Sequence, residues 1–199
     1  MASRQLKPVE GSIITRLDAV KFNHIVISNW KPQHEVWPFS FGDNILSLVS
    51  CLGAYHTTYY LRKVLNVRPY ARLTCYSPVM GMAGIASFLF QSEHITAKVL
   101  ERGECSLCVA LRSAAGQVGC GTIYPLLIAP IICFYLADRL LSYPVPPLAR
   151  APMEVLKLYG RLLAKNPRPF FGFAAANVVA AFAISLQKQR LYTELLDKM

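Results

Sequence analysis

The chain has 199 residues, enough for one compact unit and too few for two ordinary soluble domains. Apolar residues make up 54% of it and charged residues 16%, below the roughly 25% of a typical soluble domain, and the mean hydropathy is +0.34. The composition therefore argues against a soluble domain and favours an integral membrane protein.

In the N-terminal segment, residues 1–42, no signal peptide is expected, because the first twenty residues lack the apolar stretch and the small-residue cleavage site that one requires. Between residues 12 and 28, apolar positions recur at spacings of three and four, with charged and polar residues on the other side. This pattern predicts a short amphipathic helix on a membrane surface or against a partner. A strand from Phe22 to Trp30 is the alternative, because that stretch is rich in β-branched residues.

Four uncharged runs follow, at residues 44–61, 73–92, 113–137 and 169–187. A hydrocarbon core about 30 Å thick needs roughly 20 helical residues, so each run is long enough to span it. The sequence therefore predicts an all-α fold, in which residues 43–199 form a bundle of four transmembrane helices.

The four runs differ in character. The third and fourth are the most apolar, whereas the first contains several polar residues, including Ser50 and His56, and the second is interrupted by Pro78, Gly81 and Gly84. Either of the first two could be shielded from lipid by neighbouring helices. Pro125 and Pro130 are expected to kink the third.

The connection between the third and fourth runs contains four prolines and then a helical pattern. Residues Glu154 to Lys165 place Val155, Leu158 and Leu162 on one side and basic residues on the other. This predicts a basic amphipathic helix lying on an anionic leaflet.

The net charge of +10 is concentrated in two connections: residues 62–72 carry +4 and residues 138–168 carry another +4. The positive-inside rule then places both on the cytoplasmic or matrix side, and the termini and middle loop on the other. The intervening apolar runs argue against a nucleic-acid-binding face. The basic residues expected on the inner side are Arg62, Lys63, Arg68, Arg72, Arg139, Arg150, Lys157, Arg161, Lys165 and Arg168.

Candidate chemistry is sparse. Cys105 and Cys108 form a Cys-x-x-Cys pair in the middle loop, which could be a local disulfide, two thiols or a redox-active dithiol. No second Cys or His pair has matching spacing, so neither a metal site nor a cofactor is expected. We therefore expect a non-catalytic protein.

Polar and small residues within the runs predict close helix packing. Unpaired polar groups are costly in lipid, so His56, Gln117 and Asn177 should point inward, for hydrogen bonds between helices or, alternatively, for transport. Small residues four apart, such as Gly172 with Ala176, let helix backbones approach. The candidate packing positions are His56, Gly81, Gly84, Arg112, Gly116, Gln117, Gly119, Gly121, Pro125 and Asn177.

Several motifs between about Gly42 and the C-terminus together resemble one family. They are Cys105-x-x-Cys108-x-x-x-Arg112-Ser113, then Gly116, Gly119, Gly121 and Tyr124-Pro125, then Leu136-Ala137 with a basic residue after it, together with Leu61-Arg62-Lys63-Val64-Leu65-Asn66-Val67 and Met82-Ala83-Gly84-Ile85. This set resembles the transmembrane protein 126 family of the inner mitochondrial membrane. The Cys pair is closer to the A-type paralogue than to the B-type, which lacks the complete pair.

The resemblance implies a function in the assembly of respiratory complex I, by holding newly made subunits of its membrane arm. The implied partners are inner-membrane lipids, complex I membrane-arm subunits, other assembly factors including the acyl-CoA dehydrogenase-related one, and the membrane insertase. A retained accessory subunit of complex I and a small channel or carrier are the alternatives. The resemblance brings no catalytic residues.

Overall fold

The computed structural model describes residue 25 and residues 35–67, 71–100, 105–144 and 152–198. The described chain is helical and contains no strand. A short helix, Trp37–Ser40, is followed by α1 (Gly42–Val64), α2 (Arg72–Leu100), α3 (Ser106–Leu140), α4 (Pro152–Lys165) and α5 (Arg168–Lys198). Apart from Ile25, the amphipathic helix predicted at residues 12–28 and its alternative strand lie outside the described residues.

Among the described residues, three helices are long and apolar enough to cross a membrane: α2, α3 and the Arg168–Leu195 part of α5. The second, third and fourth predicted spans are therefore supported. The first predicted span is a helix of 23 residues, α1, but it does not join those three. The physical reason is the polar content of α1, which lowers its mean hydropathy. Its polar residues include Ser50, Thr57 and Thr58, which are buried inside the bundle.

The helices extend further than the uncharged runs. α2 continues to Leu100 and α3 begins at Ser106, so the middle loop is much shorter than residues 93–112, the interval between the second and third uncharged runs. Cys108 and Arg112 consequently lie within α3 and not in a loop. Arg62 was assigned to the first basic loop, but it lies in the last turn of α1 and its side chain is only 2% exposed.

The backbone of α3 changes next to a proline. Pro125 has no N–H, so the carbonyl of Gly121, four residues earlier, has no helical donor there. The preceding segment Gly119–Ile123 is π-helical, which is a common response to such a defect. A Cβ on Gly53 would lie 2.8 Å from the Gly121 carbonyl oxygen, so α1 and α3 are in backbone contact at this point.

Two apolar clusters hold the ends of the bundle. At one end α1, α2, α3 and α4 meet around Leu61, Val79 and Phe134. At the other end the last turns of α5 cover α2 and α3, where Tyr192 and Leu195 pack against Val99. The bundle is therefore closed by side chains at both ends.

Helix α4 lies against the bundle. Leu162 is buried in the first cluster, with Val155 and Leu158 packed against that cluster, while Lys157 and Arg161 are exposed. The Tyr159 hydroxyl donates to the carbonyl oxygen of α3's Leu126 at 2.7 Å, and burial raises the pKa of Tyr159 to about 12. The apolar residues thus contact protein, and contact of this helix with a leaflet stays a prediction.

Candidate functional site

The centre of the bundle is a hydrogen-bonded network around Gln117 of α3, which is fully buried. Its amide nitrogen donates to the Leu46 carbonyl oxygen at 2.7 Å, to Ser50 Oγ at 2.8 Å and to Asn177 Oδ1 at 3.2 Å. Its carbonyl oxygen accepts from Ser87 Oγ at 2.8 Å. One side chain therefore joins α1, α2, α3 and α5.

Gln91 of α2 extends the network. Its Nε2 donates to Gln117 Oε1 at 3.3 Å and to the Ser113 carbonyl oxygen at 3.2 Å, while its Oε1 accepts from Ser113 Oγ at 2.9 Å. Asn177 Nδ2 donates to the Phe173 carbonyl oxygen at 2.9 Å. These amides and hydroxyls are satisfied by one another and by backbone carbonyl groups, which removes the main cost of burying them.

Glycines allow the helices to come close enough for this network. A Cβ on Gly121 would lie 2.6 Å from Asn177 Oδ1 and 2.7 Å from Ser50 Oγ. A Cβ on Gly84 would lie 2.6 Å from Cys51 Sγ, and one on Gly116 would overlap the Phe90 ring. At each of these three glycines a methyl group would overlap side-chain atoms of a neighbouring helix, so those side chains or the helix would have to shift.

A buried ion pair lies one layer further towards the chain termini. Lys188 of α5 contacts Asp43 Oδ1 of α1 at 2.7 Å and Thr96 Oγ1 of α2 at 2.8 Å. Lys188 is 1% exposed, and its ammonium lies 5.7 Å from the centre of the Phe39 ring. Burying both charges is tolerable because they are paired and hydrogen-bonded.

Arg62 closes the opposite end of the bundle. Its guanidinium donates to the Ala71 carbonyl oxygen at 3.2 Å and to the Val67 carbonyl oxygen at 3.0 Å, and it lies over the Tyr76 ring. It therefore holds the ends of the connection between α1 and α2, in addition to contributing charge.

His56 is not hydrogen-bonded to Gln117 or Asn177. Its ring packs near Phe170 and Phe173 of α5, at centroid distances of 6.0 and 4.8 Å. Among the described residues its Nε2 is buried without a hydrogen-bond partner. The three polar residues singled out in the sequence thus separate into a bonded pair, Gln117 and Asn177, and a histidine packed on aromatic rings.

The remaining predicted positions lie at the surface or outside the described chain. Cys105 and Cys108 are exposed at the start of α3, and a disulfide between them stays a prediction. Gly81 and Gly119 have open surroundings. Exposed positions include Lys63, Arg72, Arg112, Arg139, Lys157, Arg161, Lys165 and Arg168, while Arg68 and Arg150 lie outside the described residues.

Sequence reasoning missed the partners of these groups. Asp43 and Lys188 immediately flank the first and fourth uncharged runs, and an even number of spans would bring them to the same end. The sequence therefore contained enough information to predict this ion pair. Ser50, Ser87, Gln91 and Ser113 gave no comparable signal, because their inward direction depends on helix rotation.

The network of amides and hydroxyls around Gln117 orients the helices relative to one another. Neutral amides and hydroxyls donate and accept hydrogen bonds but are poor acids and nucleophiles without an activating base. No group of three or more His, Cys, Asp or Glu in the described residues could hold a metal ion.

Comparison with known proteins agrees with this membrane architecture. Residues 25–193 match the family described as Transmembrane protein 126. Transmembrane protein 126 of Drosophila melanogaster is 33% identical over 155 residues, which cover 76% of this chain and 69% of the fly protein. No solved structure matches significantly. With a match over most of its length, the chain belongs to the transmembrane protein 126 family.

Proposed function

We propose that this protein is a non-catalytic scaffold of the inner mitochondrial membrane that holds membrane-arm subunits of respiratory complex I during assembly. We infer the client, complex I, from the resemblance between the motifs of this chain and those of the A-type paralogue. We infer the mode of action from one feature of the structure, an uncovered small-residue face on α5.

That face consists of Gly172, Ala176, Val179 and Ala183, which recur at helical spacing and are all exposed. Apart from its two chain neighbours and the backbone of its own helix, no described residue lies within 4 Å of the position that a Cβ on Gly172 would occupy. In lipid, small residues of this kind let a second helix approach until its backbone is in contact. The face therefore suits a transmembrane helix of a client subunit.

The proposal includes α1 as a fourth membrane span. Several of its polar side chains bond inside the bundle, such as Ser47 Oγ to the Gly84 carbonyl oxygen at 2.9 Å and Thr58 Oγ1 to the Ala54 carbonyl oxygen at 2.9 Å. Its exposed stripe is apolar or aromatic, formed by Ile45, Leu48, Leu52, Tyr55 and Tyr59. A helix of low average hydropathy can thus still present a lipid-compatible surface.

In this topology both basic connections face the matrix and both termini face the intermembrane space. Single cysteines at Lys63 and Lys157 should both be labelled from the matrix side by a membrane-impermeant maleimide. Labelling of the two positions from opposite sides would refute the topology.

The scaffold proposal is tested by deleting the protein and resolving membrane complexes on native gels. We expect less complex I and a stalled intermediate, and normal complex I with no intermediate would refute the proposal. Persistence of the protein in the finished complex would instead favour a retained accessory subunit.

A point substitution tests the proposed face directly. Gly172→Leu should leave the bundle intact, because the new side chain points into open space, but should abolish rescue of the deletion strain. Val178→Leu is the matched control, since it enlarges another exposed part of the same helix. Equal rescue by both variants would exclude this face as the docking site.

The channel or carrier alternative predicts solute flux through liposomes that depends on His56, Gln117 and Asn177. The hydrogen bonds of Gln117 to Asn177 and to Leu46 and Ser50 of α1 favour a structural role for Gln117 and Asn177.

A further inference from the structure

A cavity of about 450 Å³ lies between α1 and α2, at the end where the two helices are connected. Tyr55, Tyr59 and Arg62 of α1 and Arg72 and Tyr76 of α2 line it. The spacings of four and three on α1, and of four on α2, place each set on one helical face. The cavity is thus built by two facing helix surfaces.

The cavity carries positive charge and no acidic residue from its own helices. No Asp or Glu occurs between residues 44 and 92. Arg62 is fixed by its hydrogen bonds to the two carbonyl oxygens and is 2% exposed, so its charge stays in place. The first turn of α2 has no acidic residue and no side-chain cap, so the positive end of its helix dipole adds to the field.

The three tyrosines form one aromatic wall. The Tyr55 ring stacks on Tyr59 at 6.0 Å and on Tyr76 at 5.3 Å between ring centroids. Phenol hydroxyls are hydrogen-bond donors, and together with guanidinium groups they suit an anion with several acceptor oxygens, such as a phosphate group.

The position of the cavity along α2 favours a lipid over a free anion. Arg72 begins the helix and Tyr76 lies one turn further, about 6 Å along the axis, which is headgroup depth for a helix that starts at the membrane border. Leu73, beside Arg72, is 84% exposed, and Leu52, one turn before Tyr55, is 58% exposed. These side chains give acyl chains an apolar surface directly next to the charged cavity.

We propose that this cavity binds the phosphate headgroup of an anionic phospholipid. Arg62 supplies a fixed positive charge, Arg72 supplies guanidinium donors from the exposed rim, and the tyrosine hydroxyls complete the set of donors. The acyl chains lie along the exposed apolar side chains of α1 and α2.

The test uses the full chain purified in a mild detergent, with phosphatidylglycerol as the probe and phosphatidylcholine as the neutral comparison. Native mass spectrometry counts retained lipid, and a thermal unfolding assay measures the shift that each lipid causes. Arg72→Gln removes a lining charge, while Lys63→Gln removes an exposed charge from the same end of the bundle outside the lining. Tyr59→Phe removes one hydroxyl and keeps the ring.

We expect phosphatidylglycerol to be retained and stabilising, and phosphatidylcholine not to be. Arg72→Gln should weaken the phosphatidylglycerol interaction about tenfold, as expected for loss of one charge-assisted hydrogen bond, and Lys63→Gln should leave it unchanged. If Arg72→Gln does not fold, Tyr59→Phe replaces it in the test. This variant should also weaken the phosphatidylglycerol interaction, but by less than tenfold.

Three results would overturn the proposal. Equal losses in Arg72→Gln and Lys63→Gln would mean diffuse attraction to a basic surface. Equal retention of the two lipids would mean binding through acyl chains alone. Stabilisation by inorganic phosphate or glycerol phosphate as large as that by phosphatidylglycerol would assign the cavity to a soluble phosphate compound.

Discussion

Replacing Gln117 by leucine would remove the central link of the bundle while keeping a side chain of similar length. The amide has five hydrogen-bond partners, on α1, α2 and α5, of which its two hydrogens and its oxygen can satisfy about four fully. Hydrogen bonds between membrane helices contribute about 0.6 kcal/mol each on average, so Gln117→Leu should lower the free energy of unfolding by about 2–3 kcal/mol. This loss of stability comes from contacts with all three helices that Gln117 joins to α3.

The assay is unfolding of the detergent-solubilised protein with increasing mole fraction of sodium dodecyl sulfate, followed by circular dichroism. Gln187→Leu is the control, because Gln187 is exposed on α5 and its replacement should change stability by less than about 0.5 kcal/mol. If the two variants unfold at the same detergent composition, the network does not stabilise the bundle and the reasoning is wrong.

Three further outcomes can be checked with the same unfolding assay. Lys188→Met leaves Asp43 buried without its cation and should destabilise by about 3–5 kcal/mol, and Asp43→Asn added to it should restore part of that loss. Gly121→Ala places a methyl group against α1 and α5 and should destabilise by about 1–3 kcal/mol, whereas Gly81→Ala, with open surroundings, should stabilise by up to about 1 kcal/mol. His56→Leu should be neutral or stabilising, since it removes a buried nitrogen that has no partner among the described residues, and a large loss of stability would reveal a missed interaction.

The positions of the apolar helices could be predicted from the sequence, because length and lack of charge are local properties. α3 and α5 contain their predicted runs, and α3 is π-helical just before Pro125, whereas the kinks expected at Pro125 and Pro130 stay predictions. The ends were less predictable, because a helix can continue past the last uncharged residue when its charges find partners. Lys188 is the clearest example, since it ends the fourth uncharged run but lies in the interior of α5.

The pairing inside the bundle could be predicted only in part. The cost of unpaired polar groups in lipid indicated that Gln117 and Asn177 point inward, but not that they bond to each other. That pairing depends on the rotation of each helix about its axis and on the close approach that Gly53 and Gly121 allow. Arg62 was misassigned because its charge suggested a loop, whereas the bare carbonyl groups of the following turn give a buried guanidinium its partners.

The pairing of Asp43 with Lys188 joins the first and last long helices, across 145 residues of sequence. When the chain enters a membrane N-terminus first, the carboxylate arrives long before the ammonium that neutralises it. The first helix therefore lacks the partner of its buried acid until the last one has been delivered. We expect a chain cut short before Lys188 to retain an uncompensated acid in its interior and to be less stable than the full chain.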